Sequence, residues 1–225
     1  MDDMEYLLIY IAVVLIIILF SMTLHEVMHG FMAFKLGDDT AEREGRLTLN
    51  PVKHIDPFLT VALPLILLVT SVFSGGGTPI FGGAKPVPFN PARLKFDEWG
   101  AALVALAGPL TNFLLAFFGF AVATLLGLKV DDLMFSGHAD TFWTLFIQVN
   151  LGFFIFNMIP IPPLDGSRVI YALAPDFVRR GMEAIEQFGL IFIFAIVLLA
   201  SPIISVVIRG GTAGMLQAFS ALFGV

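Results

Sequence analysis

The chain has no cysteine. That absence excludes disulfides, thiolate metal sites and cysteine nucleophiles together, so any metal must be held by histidine, aspartate or glutamate. Charge is also scarce: 13% of the 225 residues are charged, against about 25% in an ordinary soluble domain. Lys and Arg number 12 against 18 Asp and Glu, a net charge of −6 without a basic stripe, which argues against a nucleic-acid partner. No long polar linker, internal repeat or low-complexity tract is present, so residues 1–225 read as one membrane-embedded domain with its core at 6–173. The N-terminal Met1-Asp2-Asp3-Met4-Glu5 is acidic where a secretory signal is basic, and no small-residue cleavage site follows.

What is present is apolar. Hydrophobic residues make up 58% of the chain, 24 of them phenylalanine, and the mean hydropathy is +0.92. Residues 6–35 predict a retained membrane helix, roughly 45 Å long at about 1.5 Å per residue and longer than a hydrocarbon core of about 30 Å requires. Further spans are expected at 99–128, 141–158 and 188–208. Residues 58–74 are apolar but short and contain Pro64, and Gly75-Gly76-Gly77 closes them as a hinge or turn. Pro86 and Pro88 disfavour helix and predict a short extended loop. The weakly apolar tail from Gly210 receives no element. The expected fold is an all-α polytopic membrane protein with about four full transmembrane helices, a re-entrant segment and a short extended loop.

The most informative motif is His25-Glu26-Val27-Met28-His29, near the far end of the first span. Two histidines four residues apart lie on one helix face, about 6 Å apart, so both imidazoles can reach one metal ion. Glu26 stands beside the first to handle a metal-activated water. In a soluble chain this reads as a zinc peptidase; here it reads as one working inside a membrane. Histidines that merely pack helices are a poor alternative, because ionisable groups at membrane depth are costly without a function.

Taken with Gly108-Pro109-Leu110-Thr111-Asn112 and Asn157-Met158-Ile159-Pro160-Ile161-Pro162-Pro163-Leu164-Asp165-Gly166, the motif resembles the site-2 protease family of intramembrane zinc metalloproteases. The resemblance runs from about residue 23 to 171, in family order. The stretch from Gly45 to Pro57, together with Ala84-Lys85-Pro86-Val87-Pro88, is similar to a compact prokaryotic branch without PDZ or CBS modules, although Gly83 stands where that branch usually has tryptophan. The resemblance implies one Zn2+ per chain held by His25, His29 and Asp165, with Glu26 as general base. Three protein ligands leave a fourth position for water. The plainer role for Asp165 is turn chemistry after the prolines.

Asn112 and Asn157 are candidate substrate or oxyanion donors, against interhelical hydrogen bonding. His54 is a candidate gate or proton carrier, against an interfacial pairing with Asp56. Gly108 and Pro109 are expected to allow close helix approach. His138 falls on the far side and stays outside the site. The implied substrate is another membrane protein's transmembrane segment, unwound so that its peptide bond can reach the metal. The partners are thus that segment and the lipid bilayer.

With Asp165 as third ligand, the helices ending near His29 and before Asp165 must run in the same direction, so an odd number of crossings separates them. Residues 58–74 therefore dip in and return. The charges agree. Lys35, Arg43, Arg46, Lys53, Lys85, Arg93, Lys95, Arg168, Arg179 and Arg180 then share one side, while Lys129 and Arg209 remain on the other. Positive loops stay cytoplasmic, which predicts the N-terminus outside the cell membrane and the site toward the cytoplasm. A transporter passing ions through His and Asp is the main competing class, but no second buried carboxylate ladder supports it. An inactive relative is disfavoured because every expected chemical residue is present.

Overall fold

The computed structural model describes residues 3–73, 83–127, 142–189, 192 and 200–225. Among them every regular element is helical. Helix α1 (Asp3–Lys35) contains no proline and a single glycine, and stops at Gly37, whose φ of +107° suits a residue without a side chain. The Asp38 N–H caps it by donating to the Ala33 carbonyl at 2.9 Å. The chain then forms a short turn (Thr40–Arg43), a π-type turn (Pro57–Ala62) and α2 (Leu63–Phe73). Helix α3 (Asp97–Leu125) starts with Asp97 and Glu98, carboxylates suited to the positive end of the helix dipole. It is followed by α4 (Phe142–Asn157), α5 (Asp165–Leu173), α6 (Asp176–Glu186) and α7 (Ser201–Phe223).

Among the described residues three helices, at Leu8–Lys35, Asp97–Leu125 and Pro202–Phe223, are long and apolar enough to cross a membrane, and Phe142–Asn157 is a shorter apolar helix. The protein is a multi-pass membrane protein. In lipid the attraction between helices comes from packing rather than from exclusion of water, and α3 is shaped for it. Its buried face carries Gly100, Ala101, Ala105, Gly108, Ala116 and Gly119, which let neighbouring backbones approach. Further along, Phe120 and Phe117 interlock with Phe219 and Phe223 of α7 at ring separations of 5.3–5.7 Å.

Contacts between helices set their directions. As α1 proceeds from His25 to His29, its partners on α3 recede from Asn112 to Val104, so the two are antiparallel. Asn112 meets Asn150, whereas Phe120 packs with Ile147, so α3 and α4 are antiparallel as well. Helices α1 and α4 therefore run the same way, with one crossing between them. The segment between α1 and α3 adds no net crossing. The Thr60 hydroxyl donates to the Gly83 carbonyl at 2.7 Å, and the Lys85 N–H donates to the His54 carbonyl at 2.8 Å. The chain enters and leaves at one place, as a re-entrant segment does; residues 74–82, with the glycine run, lie outside the described residues.

The last described helix, Ser201–Phe223, takes in the tail from Gly210; residues 190–191 and 193–199 of the span expected at 188–208 lie outside the described residues. Pro202 sits in the first turn, where a missing N–H costs nothing and its fixed φ favours helix initiation. Arg209 consequently lies within α7, exposed, rather than in a flanking loop. Its stem is long enough to carry the charge along the helix surface. Lys129 and His138 lie outside the described residues.

Candidate metal centre

One turn of α1 stacks His25 on His29 with Nε2 atoms 3.0 Å apart. Asp165 brings Oδ2 to 3.3 Å from His25 Nε2 and 3.5 Å from His29 Nε2. Tetrahedral zinc with bonds of about 2.0–2.1 Å requires ligand atoms about 3.3–3.4 Å apart, which these three edges bracket. The outer nitrogens are engaged too: His29 Nδ1 donates to the Val104 carbonyl at 2.7 Å, and His25 Nδ1 lies 2.6 Å from Asn112 Oδ1. A carbonyl only accepts, so His29 carries a proton on Nδ1, which leaves Nε2 as the atom available to a metal. Lone pairs converging on a carboxylate repel one another unless a cation sits among them. The donor set, nitrogen and oxygen without sulfur, fits zinc.

Close approach of α3 completes the triangle. A Cβ on Gly108 would lie 2.4 Å from His29 Nε2 and 2.7 Å from His25 Nε2, so a glycine here lets α3 approach the two imidazoles this closely. Pro109, next along α3, lacks the N–H that would bond the Ala105 carbonyl. The helical ladder is thereby loosened beside Val104, whose carbonyl holds His29.

Asp165 is the first residue of α5, where the helix dipole favours a carboxylate. The turn from Met158 to Leu164 delivers it, with a cis peptide at Pro162-Pro163. A Cβ on Gly166 would lie 2.4 Å from the Met158 carbonyl oxygen, which explains glycine after the aspartate. Asp165 thus combines turn chemistry with a place in the cluster of atoms that could hold a metal ion.

Glu26 is buried, and its Oε2 accepts the Val87 N–H at 2.8 Å. The segment from Gly83 to Asn90 forms no helix, and three further hydrogen bonds pin it. These are Lys85 N–H to the His54 carbonyl, Arg46 Nη2 to the Lys85 carbonyl at 2.7 Å, and Asn90 N–H to Asp38 Oδ2 at 2.5 Å. Burial raises the Asp38 pKa, but hydrogen bonds from the Thr40 hydroxyl and from the Asn90 and Thr40 N–H groups, with Arg93 nearby, hold it below the usual value.

A cavity of about 490 Å³ opens on the centre, bounded by His25, Glu26, His29, Val87, Asn157 and Asp165 among others. Asn157 faces this space, with Nδ2 donating to the Phe153 carbonyl at 3.1 Å. Asn112 does not line it. Fully buried behind His25, it spends Nδ2 on Asn150 Oδ1 at 2.9 Å and on the Ser21 carbonyl at 3.4 Å. His54 is also outside the lining; its Nε2 donates to the Thr48 carbonyl at 2.8 Å. Sequence reasoning missed Val104, which acts through its backbone, and Asn150, a polar residue in an apolar span whose burial was the available signal. It also missed the ion pair between Arg168 and Glu186 at the cavity wall.

The model of Peptidase family M50 matches residues 123–200. Over 220 residues the chain is 40% identical to "Putative zinc metalloprotease YwhC" of Bacillus subtilis (strain 168), covering 95% of this chain and 92% of that protein. It is 31% identical over 198 residues to "Putative zinc metalloprotease Rip2" of Mycolicibacterium smegmatis (strain ATCC 700084 / mc(2)155), covering 86% and 70%. A shorter stretch of 69 residues, 30% of this chain, is 38% identical to "Putative zinc metalloprotease MJ0611" of Methanocaldococcus jannaschii, of which it covers 31%. No solved structure matches the chain.

Proposed function

The chain belongs to peptidase family M50, and from that premise we infer that it is an intramembrane zinc metalloendopeptidase cutting peptide bonds in or near transmembrane segments of other membrane proteins. The observation that carries the reading is the triangle of His25 Nε2, His29 Nε2 and Asp165 Oδ2 beside the Glu26 carboxylate.

His25, His29 and Asp165 would hold one zinc ion. When bound, zinc supplies Lewis acidity to a water and to a substrate carbonyl. Glu26 Oε1, free of hydrogen bonds among the described residues, takes the proton of the attacking water while Oε2 stays on the Val87 N–H. The same carboxyl then passes that proton to the leaving amine. Asn157, at the cavity wall, is the candidate donor to the developing oxyanion. Asn112 acts instead on His25, because its amide protons are already committed behind the imidazole. His54, held by the Thr48 carbonyl, supports the loop beneath Lys85 rather than carrying protons.

The substrate is an unwound membrane helix, since a helical peptide bond is shielded by its own hydrogen bonds. The Lys85–Phe89 stretch borders the cavity and could pair with it by strand addition. Because Pro86 and Pro88 lack N–H groups and Lys85 and Val87 already use theirs, such pairing relies mainly on carbonyls of the stretch accepting from the substrate. The positive-inside rule places the site toward the cytoplasm and the N-terminus outside the cell membrane.

The deciding experiment measures zinc content and cleavage of a model membrane-helix substrate by purified wild type and Glu26→Gln. One zinc per chain in both, with cleavage in the wild type alone, is the expected result. No bound zinc in the wild type overturns the reading.

A further inference from the structure

Asn150 lies on α4, on the far side of Asn112 from the metal ligands, and is fully buried. A bare amide at such a place is costly unless every polar atom is paired. Its pairing also has a direction. Asn150 Nδ2 lies 2.8 Å from the Phe146 carbonyl oxygen, which can only accept, so this end of the amide must be the NH2. Asn150 Oδ1 therefore faces Asn112 and accepts from its Nδ2 at 2.9 Å. That leaves Asn112 Oδ1 facing His25 Nδ1 at 2.6 Å, and an amide oxygen there requires the imidazole to be the donor. The Ser21 carbonyl, 3.4 Å from Asn112 Nδ2, favours the same orientation.

We propose that Asn150 is a positioning residue for the metal centre: through Asn112 it fixes the His25 proton on Nδ1 and thereby keeps the Nε2 lone pair pointed at the metal. The proposal rests on the metal-centre reading above. His29 needs no such relay, because a backbone carbonyl holds its Nδ1 directly. His25 faces a side-chain amide that can turn over by 180°. Without Asn150, the reversed Asn112 would present its NH2 to His25 and accept the proton from Nδ1 no longer. The imidazole would then favour a proton on Nε2, the atom that must coordinate. Three helices are thereby coupled to one tautomer: α1 supplies the ligand, α3 the intermediary and α4 the reference carbonyl.

The test is zinc affinity, by chelator competition, in wild type, Asn150→Leu, Asn112→Leu and the double variant. The expected result is a loss of roughly tenfold in Asn150→Leu, within the 10–100-fold range for outer groups that orient a ligand. The further expectation is no additional loss when Asn150→Leu is placed on Asn112→Leu, since Asn150 acts only through that residue. Unchanged affinity in Asn150→Leu, or the same loss in both backgrounds, overturns the relay. Wild type that binds no zinc overturns the metal centre itself. Should Asn150→Leu fail to fold, nitrogen NMR on zinc-loaded wild type decides. Coordination of His25 through Nε2, with the proton on Nδ1, is expected; coordination through Nδ1 overturns the proposal.

Discussion

The backbone N–H of Val87 donates to the carboxylate of Glu26 across 2.8 Å, although 61 positions separate them in the chain. A loop with prolines on both sides of Val87 thus holds the expected general base. Proline is tolerable at 87 because its neighbours already impose an extended backbone, but it lacks the donor. Val87→Pro should lower kcat by ~10–100-fold, from about 1.5–3 kcal/mol for a hydrogen bond to a charged group. KM and zinc content should change little, and Val87→Ala, which keeps the N–H, should retain the rate. Cleavage kinetics with metal analysis on both variants provide the check.

Gly108→Ala places a methyl group 2.4 Å from His29 Nε2. Alanine is about 1 kcal/mol better than glycine within a helix, so α3 itself should not weaken. Zinc content should fall far below that of the wild type while the helical signal in circular dichroism is unchanged. Full zinc occupancy would contradict the close packing of α1 on α3.

The two asparagines of the motifs should separate. Asn157→Ala removes a donor at the cavity wall and should lower kcat by ~10²-fold with zinc retained, as loss of an oxyanion donor does. Asn112→Leu should weaken zinc binding first, because that amide stands behind His25 and not in the cavity. Parallel chelator titrations and single-turnover cleavage distinguish these outcomes.

Asp38 has a folded pKa below its unfolded value of about 3.9. The stability it contributes is therefore fully present above about pH 4 and lost as pH falls through the folded pKa. Asp38→Asn should lower the melting temperature near pH 7, with the gap to wild type narrowing on acidification below about pH 4. Melting curves of both proteins across that range measure the gap; one that widens toward low pH would contradict the assignment.

Much of the site was legible because it is local. The spacing of His25 and His29 is set by helix periodicity, and Glu26 follows from adjacency. Asp165 could be named beside them only through the resemblance of separate motifs. The direction of α1 relative to α4 also followed, because shared ligation and the distribution of Lys and Arg impose the same parity. The tail from Gly210 received no element because Arg209-Gly210-Gly211 interrupts its apolar signal, and Pro202 had to be recognised as a helix start.

By itself, then, the chain determined its residence in lipid, its helical class and the chemistry available to it, since these depend on composition and on neighbours along one helix. Tertiary structure alone decided that Asn112 stands behind His25 while Asn157 faces the cavity, that Val87 holds Glu26, and that Asn150 joins the centre. Those choices rest on side-chain facing and hydrogen-bond direction between segments far apart in sequence, and in a helix a shift of about two residues, half a turn, reverses the face.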